Sequence, residues 1–336
     1  MTPSRRDVLA LVGATTAATA GVAGSATISA QEDTDDLPAY SQWLTIEDGG
    51  LEFVVLDWAD LEDEAQRELE EAGPDEAVPA EYEADPMVAP VSNGMLAAYF
   101  TVGLDLAQYR LGRLVDEAAF ESTVEELLLV NDVLIVTGAI DPAEIDDELT
   151  AEPAADFLRQ MERTDEIGDY DVYTPIDEAA DAVIAVSSDA IVFVDSDALE
   201  DDTDPMARLE TTIAVTAGDV DRATEVSDVV AWLVETAGDG DAVVGQYGDR
   251  IVADANGGVT DVRFEGFEDA DGVITSFTAE DAETGTGEFA AIVDDPDEDE
   301  LEALLGSSAD ERSVDIDENR VTAAGTWREV NGTVTE

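Results

Sequence analysis

The chain of 336 residues contains no histidine, no cysteine and no lysine, so all 14 of its basic residues are arginine. Without cysteine there can be no disulfide, no thiolate metal site and no lipidated N-terminal cysteine. Without histidine the usual general base, the imidazole metal ligand and the histidine-dependent triads are gone. Without lysine, Schiff-base chemistry and the phosphate-loop lysine go too. What is left for catalysis is hydroxyls, phenols and carboxylates. A Ser or Thr nucleophile needs an adjacent base, and neither His nor Lys exists to act as one. Paired carboxylates could still hydrolyse a glycoside or act as an aspartic dyad, but neither Asp-Thr-Gly nor Asp-Ser-Gly occurs. Val136-Thr137-Gly138-Ala139 resembles the opening of a dehydrogenase glycine loop, yet Pro142 stands where that pattern wants glycine. No cofactor is expected.

Acid is what the chain has in excess. There are 83 Asp and Glu residues, for a net charge of −69, alongside 45% hydrophobic residues. That apolar content, arranged in periodic runs, sets the chain apart from disordered acidic sequences. A folded body of this charge repels itself in dilute buffer. At molar salt the Debye length falls to about 3 Å and most of that penalty disappears. So negative a surface argues against nucleic acid as a partner.

The N-terminus reads as an address. Ser4-Arg5-Arg6-Asp7-Val8-Leu9 fits a twin-arginine export signal, with Arg5 and Arg6 as the residues read, and an Ala/Thr/Gly/Val run follows to Gly24. That run is short and Gly-rich for a membrane span, and no later run approaches ~20 apolar residues. Signal and acidic composition together resemble the twin-arginine-exported proteins of extremely halophilic archaea. The resemblance implies an extracellular or cell-surface place in high salt, and implies no activity.

Residues 1–30 are thus expected to be a signal peptide and 31–39 an acidic linker. Two α+β domains, 40–203 and 204–336, should follow, each a largely antiparallel sheet with helices on one face. The clearest local signal is Leu127–Val130 and Val133–Val136 flanking Asn131-Asp132, a β-hairpin because both turn residues tolerate positive φ. Asp141-Pro142 then predicts a helix start, with Asp141 as N-cap and Ile145 and Leu149 on one face. A similar passage, Gly287–Val293 followed by Asp295-Pro296, predicts a second such start and an internal duplication. Strands are also expected at Leu51–Leu56, Tyr170–Tyr173, Ala182–Val186, Ile191–Val194, Val262–Phe264 and Val273–Phe277, with two more within Ser313–Trp327. Helices are expected at Asp60–Ala72, Leu106–Ala119, after Asp204-Pro205, around Trp232 and after Pro296.

Few residues stand out as site candidates. Asp195, Asp197, Asp201 and Asp204 lie in one acid-rich stretch that could hold a hard cation. Asp269-Ala270-Asp271-Gly272 looks like the middle of a calcium loop but lacks the first and twelfth ligands of an EF-hand. Arg110 and Arg113 would share a helix face and could receive an anion, although pairing with nearby acids such as Asp116 is favoured. Trp43, Trp58, Trp232 and Trp327 read as core anchors. Asn331-Gly332-Thr333 is a glycosylation sequon and also a turn sequence. These readings point to an exported, salt-adapted, non-enzymatic protein that binds a ligand or cell-surface partner. The alternative is an extracellular hydrolase of polysaccharide or peptide working through carboxylates.

Overall fold

The computed structural model describes residues 37–61, 82, 84–116, 118–177, 182–196, 199, 203–249, 264, 266–267, 269–281 and 284–328. The twin-arginine stretch, most of the expected Asp60–Ala72 helix, Val262-Arg263, Asp197, Asp201 and Asn331 lie outside these residues. Among the described residues twelve strands form one antiparallel sheet in the order β11-β12-β10-β9-β8-β1-β2-β3-β7-β6-β5-β4. In chain order they are β1 (Gly50–Asp57), β2 (Thr123–Val130), β3 (Val133–Ala139), β4 (Met161–Ile167), β5 (Tyr170–Pro175), β6 (Ala182–Val186) and β7 (Ala190–Asp195). The remainder are β8 (Ala242–Gly248), β9 (Ala270–Asp281), β10 (Thr284–Val293), β11 (Glu311–Asp317) and β12 (Arg320–Arg328). The chain is α+β, as its strand and helix signals predicted. Between Leu127–Val130 and Val133–Val136 the turn has Asn131 at φ 47° and Asp132 at φ 68°, the pair of left-handed residues that a two-residue hairpin requires.

Alternation along the central strands gives both faces of the sheet apolar side chains. Val54 and Leu56 of β1 point into one core, while Leu51, Phe53 and Val55 point into another. Both faces must therefore be covered, and the expected single helical face is corrected to two. Over the first lie α1 (Ala89–Leu104), α2 (Pro142–Thr150) and α6 (Glu298–Leu304). Over the second lie the 3-10 turn Ala39–Trp43 and the run α3 (Pro205–Ala217), α4 (Ala223–Val226) and α5 (Asp228–Ala237).

Asp141 caps α2, its carboxylate accepting from Ala143 N, and Asp204 caps α3 in the same way through Met206 N. The matching expectation at Asp295-Pro296 fails. Asp295 sits at φ 56° in the turn leaving β10, and Asp297 caps α6 by accepting from Glu300 N. The cap moved two residues on because the chain must first reverse out of β10, and an aspartate tolerates the left-handed turn position. The helix expected over Leu106–Ala119 is also corrected. The helix is Ala89–Leu104, and a 3-10 turn, Leu106–Tyr109, ends it at Arg110, whose φ of 68° stops further winding.

Strand β1 is central. It pairs antiparallel with β2 on one side and with β8 on the other, with Val54 opposite Val244. From this seam the two directions run alike. A hairpin (β2-β3 or β9-β10) is followed by a helix (α2 or α6). The chain then returns so that its last strand, β7 or β12, pairs with the second hairpin strand. The boundary expected at 203/204 falls between β7 and α3, whereas the sheet continues across the seam. Helix α1 crosses there at Gly94, where an added Cβ would lie 2.8 Å from Val244 Cγ2 and 3.1 Å from Val54 Cγ1.

Candidate functional site

At the Asp57 end of the seam, carboxylates from three strands meet. Asp57 closes β1, Glu126 lies opposite it on β2, and Asp241 precedes β8. By alternation Asp57 continues the row of Phe53 and Val55, and Glu126 the row of Leu128 and Val130, so both face the α3–α5 side. The backbone holds them close: Asp57 N–H donates to Asp241 O at 2.8 Å. A bulge in β2 between Val124 and Glu126 adds Glu125, whose carbonyl accepts from both Trp58 N and Ala59 N. Gly138 opposite the bulge is obligatory, since an added Cβ would lie 2.0 Å from Thr123 O.

Each carboxyl has a defined partner. Thr137 Oγ1 donates to Glu126 Oε2 at 3.2 Å, Asp60 N to Asp57 Oδ1 at 3.0 Å, and Ala279 N to Asp241 Oδ2 at 2.6 Å. Burial nevertheless outweighs these bonds. Half-burial, followed by repulsion from Asp57, Asp60 and Glu280, holds Asp241 up at about 6. Burial raises Asp57, with Asp60 and Asp239 repelling it. Burial likewise raises Glu126, against Asp57, Asp239 and Glu125. The buried phenol of Tyr40 borders the same region, donating to Gly238 O at 3.1 Å, and is pushed up by burial and then by Asp239. Among the described residues, no group of three Asp or Glu side chains is arranged to hold a metal ion.

The sequence-predicted candidates do not join this cluster. Asp195 ends β7 next to Asp105, which burial, and then Asp195 itself, raise. Asp204 is occupied as the cap of α3, while Asp197 and Asp201 lie outside the described residues. Arg110 donates to three backbone oxygens, of Glu148 at 3.1 Å, Arg159 at 3.0 Å and Ala151 at 2.9 Å. It thus closes the C-terminal end of α2, a structural task, and is not on a helix face with Arg113. Arg113 pairs with Asp116. Asp269–Gly272 leads into and begins β9. Trp43 and Trp58 are buried and Trp58 stacks on Tyr99 at 5.8 Å. Trp232 is half-buried with the Arg320 guanidinium 4.8 Å above its ring, and Trp327 packs on Phe277.

A second acid is buried outright. Asp85, 1% exposed, accepts from Met87 N, Gly306 N, Ser308 N and Ser308 Oγ, tying the chain before α1 to the turn after α6. With every bond made to framework groups, it is a clamp. Sequence reasoning missed Asp57, Glu126, Asp241 and Asp85 alike. For the first three the available signal was position: each borders an apolar strand run, two of them on the inward parity.

No family model matches the chain, and no curated protein does. Among solved structures it is similar to TP0453 in two crystal forms. Form III gives a TM-score of 0.42 at 8% identity, covering 88% of this chain and 96% of that one. Form I gives 0.45 at 7%, covering 87% and 94%. At these values the likeness adds nothing to the account of function.

A different part of the surface is apolar. Leu104, Phe157 and Ile176 are each more than half exposed, at 60%, 65% and 52%. Backbone bonds gather their segments, Arg159 N donating to Gln108 O at 2.7 Å and Ile176 N to Gln160 O at 2.9 Å. Asp105 and Asp177 adjoin them in sequence.

Proposed function

We propose that this chain is an exported, salt-adapted, non-enzymatic binding protein of the cell surface or its surroundings, addressed by the Arg5-Arg6 signal. The observation that carries the reading is the placing of the protonatable carboxyls. Asp57, Glu126 and Asp241 lie side by side on neighbouring strands, and all three accept from framework groups, the Asp60 amide, the Thr137 hydroxyl and the Ala279 amide. Hydrolysis would want two carboxyls opposed across a substrate. The contact this reading favours is the Leu104, Phe157 and Ile176 corner, because exposed apolar residues on so acidic a surface mark a place where water is displaced by a partner. With Asp105 and Asp177 beside them, the fitting partner is a protein with apolar anchors and a basic or neutral rim. We also propose that the two directions out from the seam descend from one duplicated unit.

The test is capture from native cell surfaces in molar salt. Wild type should retain a partner that the Leu104→Ser, Phe157→Ser double variant loses, and equal retention would count against the corner. The second reading, a carboxylate hydrolase, is favoured by one observation, the Asp241 carboxyl at about 6, the range of a working general acid. Turnover of a polysaccharide or peptide in molar salt, abolished by Asp241→Asn, would replace the first reading with this one.

A further inference from the structure

We infer that the Asp57 end of strand β1 is a proton- and salt-dependent latch, loosening as Asp57, Glu126 and Asp241 ionise while the Asn131 closure at the other end of the β1–β2 ladder stays shut. The geometry supplies both halves of this device. At the Asp57 end, every charge acting on these three carboxyls among the described residues is another carboxylate: Asp60 in the turn after β1, Glu125 on β2, Asp239 after α5 and Glu280 on β9, besides the three themselves. The neutral groups facing them are Thr137 of β3 and the amides of Asp60 and Ala279, with the Tyr40 phenol bordering Asp239. Ionisation therefore adds repulsion where the β1–β2 and β1–β8 pairings end, and the backbone bond from Asp57 N to Asp241 O bears it.

At the other end of the β1–β2 ladder, beyond the Phe53–Val130 pair, the closure is an amide. Asn131 accepts from Glu52 N at 3.0 Å, donates through Nδ2 to Thr45 O at 2.9 Å, and its own N–H reaches Glu52 O at 3.0 Å. None of these donors or acceptors titrates near neutrality, so these bonds do not themselves respond to protons. The carboxylates at this end include those of Glu52, which accepts from Gln246 Nε2, Glu47, which pairs with Arg208, and Asp249 beside Gly49. The raised carboxyls agree in sign. A carboxyl that binds its proton more tightly in the closed state favours that state at lower pH, and loses this contribution as pH rises through the folded value. Salt acts in the same direction as protons by screening the repulsion.

Amide hydrogen exchange on the full chain tests the latch, with rates expressed as protection factors to remove the intrinsic pH dependence. Between about pH 5 and pH 8 in dilute buffer, protection at Asp57 and Trp58 should fall about tenfold or more, while that at Glu52 and Asn131 changes less than about twofold. Molar KCl should restore the loss, and Asp241→Asn with Glu126→Gln should prevent it. Equal losses at both ends, protection at Asp57 that ignores pH, or a folded double variant that still loosens would each overturn the latch. If the double variant fails to fold, the contrast between the two ends of the wild type decides alone.

Discussion

At one end of the β1–β2 ladder a single buried side chain, Asn131, joins the hairpin turn to Glu52 and to Thr45 through neutral hydrogen bonds. At the other end the same ladder finishes among Asp57, Glu126 and Asp241, with four more carboxylates acting on them. The strands and the pairing are shared. The difference is the chemistry that ends them, and it teaches that excess acid on this chain is more than a solvated coat. Where acids fall at inward-facing strand ends, they make local stability conditional on protons and salt. Where an amide does the same task, closure is unconditional.

The comparison breaks most sharply at the neutral end. Asn131→Ala removes the partners of Glu52 N and Thr45 O and puts alanine, which tolerates the left-handed region less well than asparagine, at φ 47°, so it should cost about 2–4 kcal/mol. Urea unfolding in molar salt measures this, and the cost should be independent of pH. At the midpoint, Gly94→Val should cost about 1–3 kcal/mol by forcing α1 away from Val54 and Val244, at either salt concentration. At the acidic end the sign reverses. Asp241→Asn keeps an oxygen for Ala279 N and loses a charge, so in dilute buffer at neutral pH it should raise Tm by about 2–4 °C. In molar salt the gain should shrink to the part that burial supplies. The wild type in dilute buffer should lose stability as pH rises from the ordinary carboxylate range toward about 6, because the folded state holds the extra protons there. The smallest effect is expected from Thr137→Val, which removes the hydroxyl bonded to Glu126 and should lower stability by about 0.5–1 kcal/mol at neutral pH.

How far the sequence foretold these ends depends on what each rests upon. The Asn131 hairpin was legible because turn chemistry and alternation are local, and Asp141 and Asp204 were legible as caps for the same reason. Helix α1 was not. Its residues are buried around most of the circumference, including Pro90, Val91, Ser92, Met95, Ala98 and Val102, so no polar stripe marks a 3.6-residue period. Leu104, Leu111, Leu114 and Val115 imitated that period where the chain in fact turns at Arg110. Strand β8 went unread because Gly245 interrupts it, and the structure explains the glycine. An added Cβ would lie 2.4 Å from Phe53 Cε1. Strand β4 reads as loop because its five central residues are polar and exposed, as suits a sheet edge. The carboxylate cluster needs the β1–β8 pairing between the two halves of the chain, and no local pattern predicts which strands become neighbours.

Measuring the carboxyl titration of Asp241 directly, by carbon-detected NMR of the side chain in dilute buffer and in molar KCl, tests the central claim most closely. The account predicts titration near 6 in dilute buffer, moving toward the ordinary aspartate range when Asp57→Asn removes a neighbour or when salt is added. An Asp241 that titrates as an exposed aspartate, unmoved by Asp57→Asn and by salt, would contradict it.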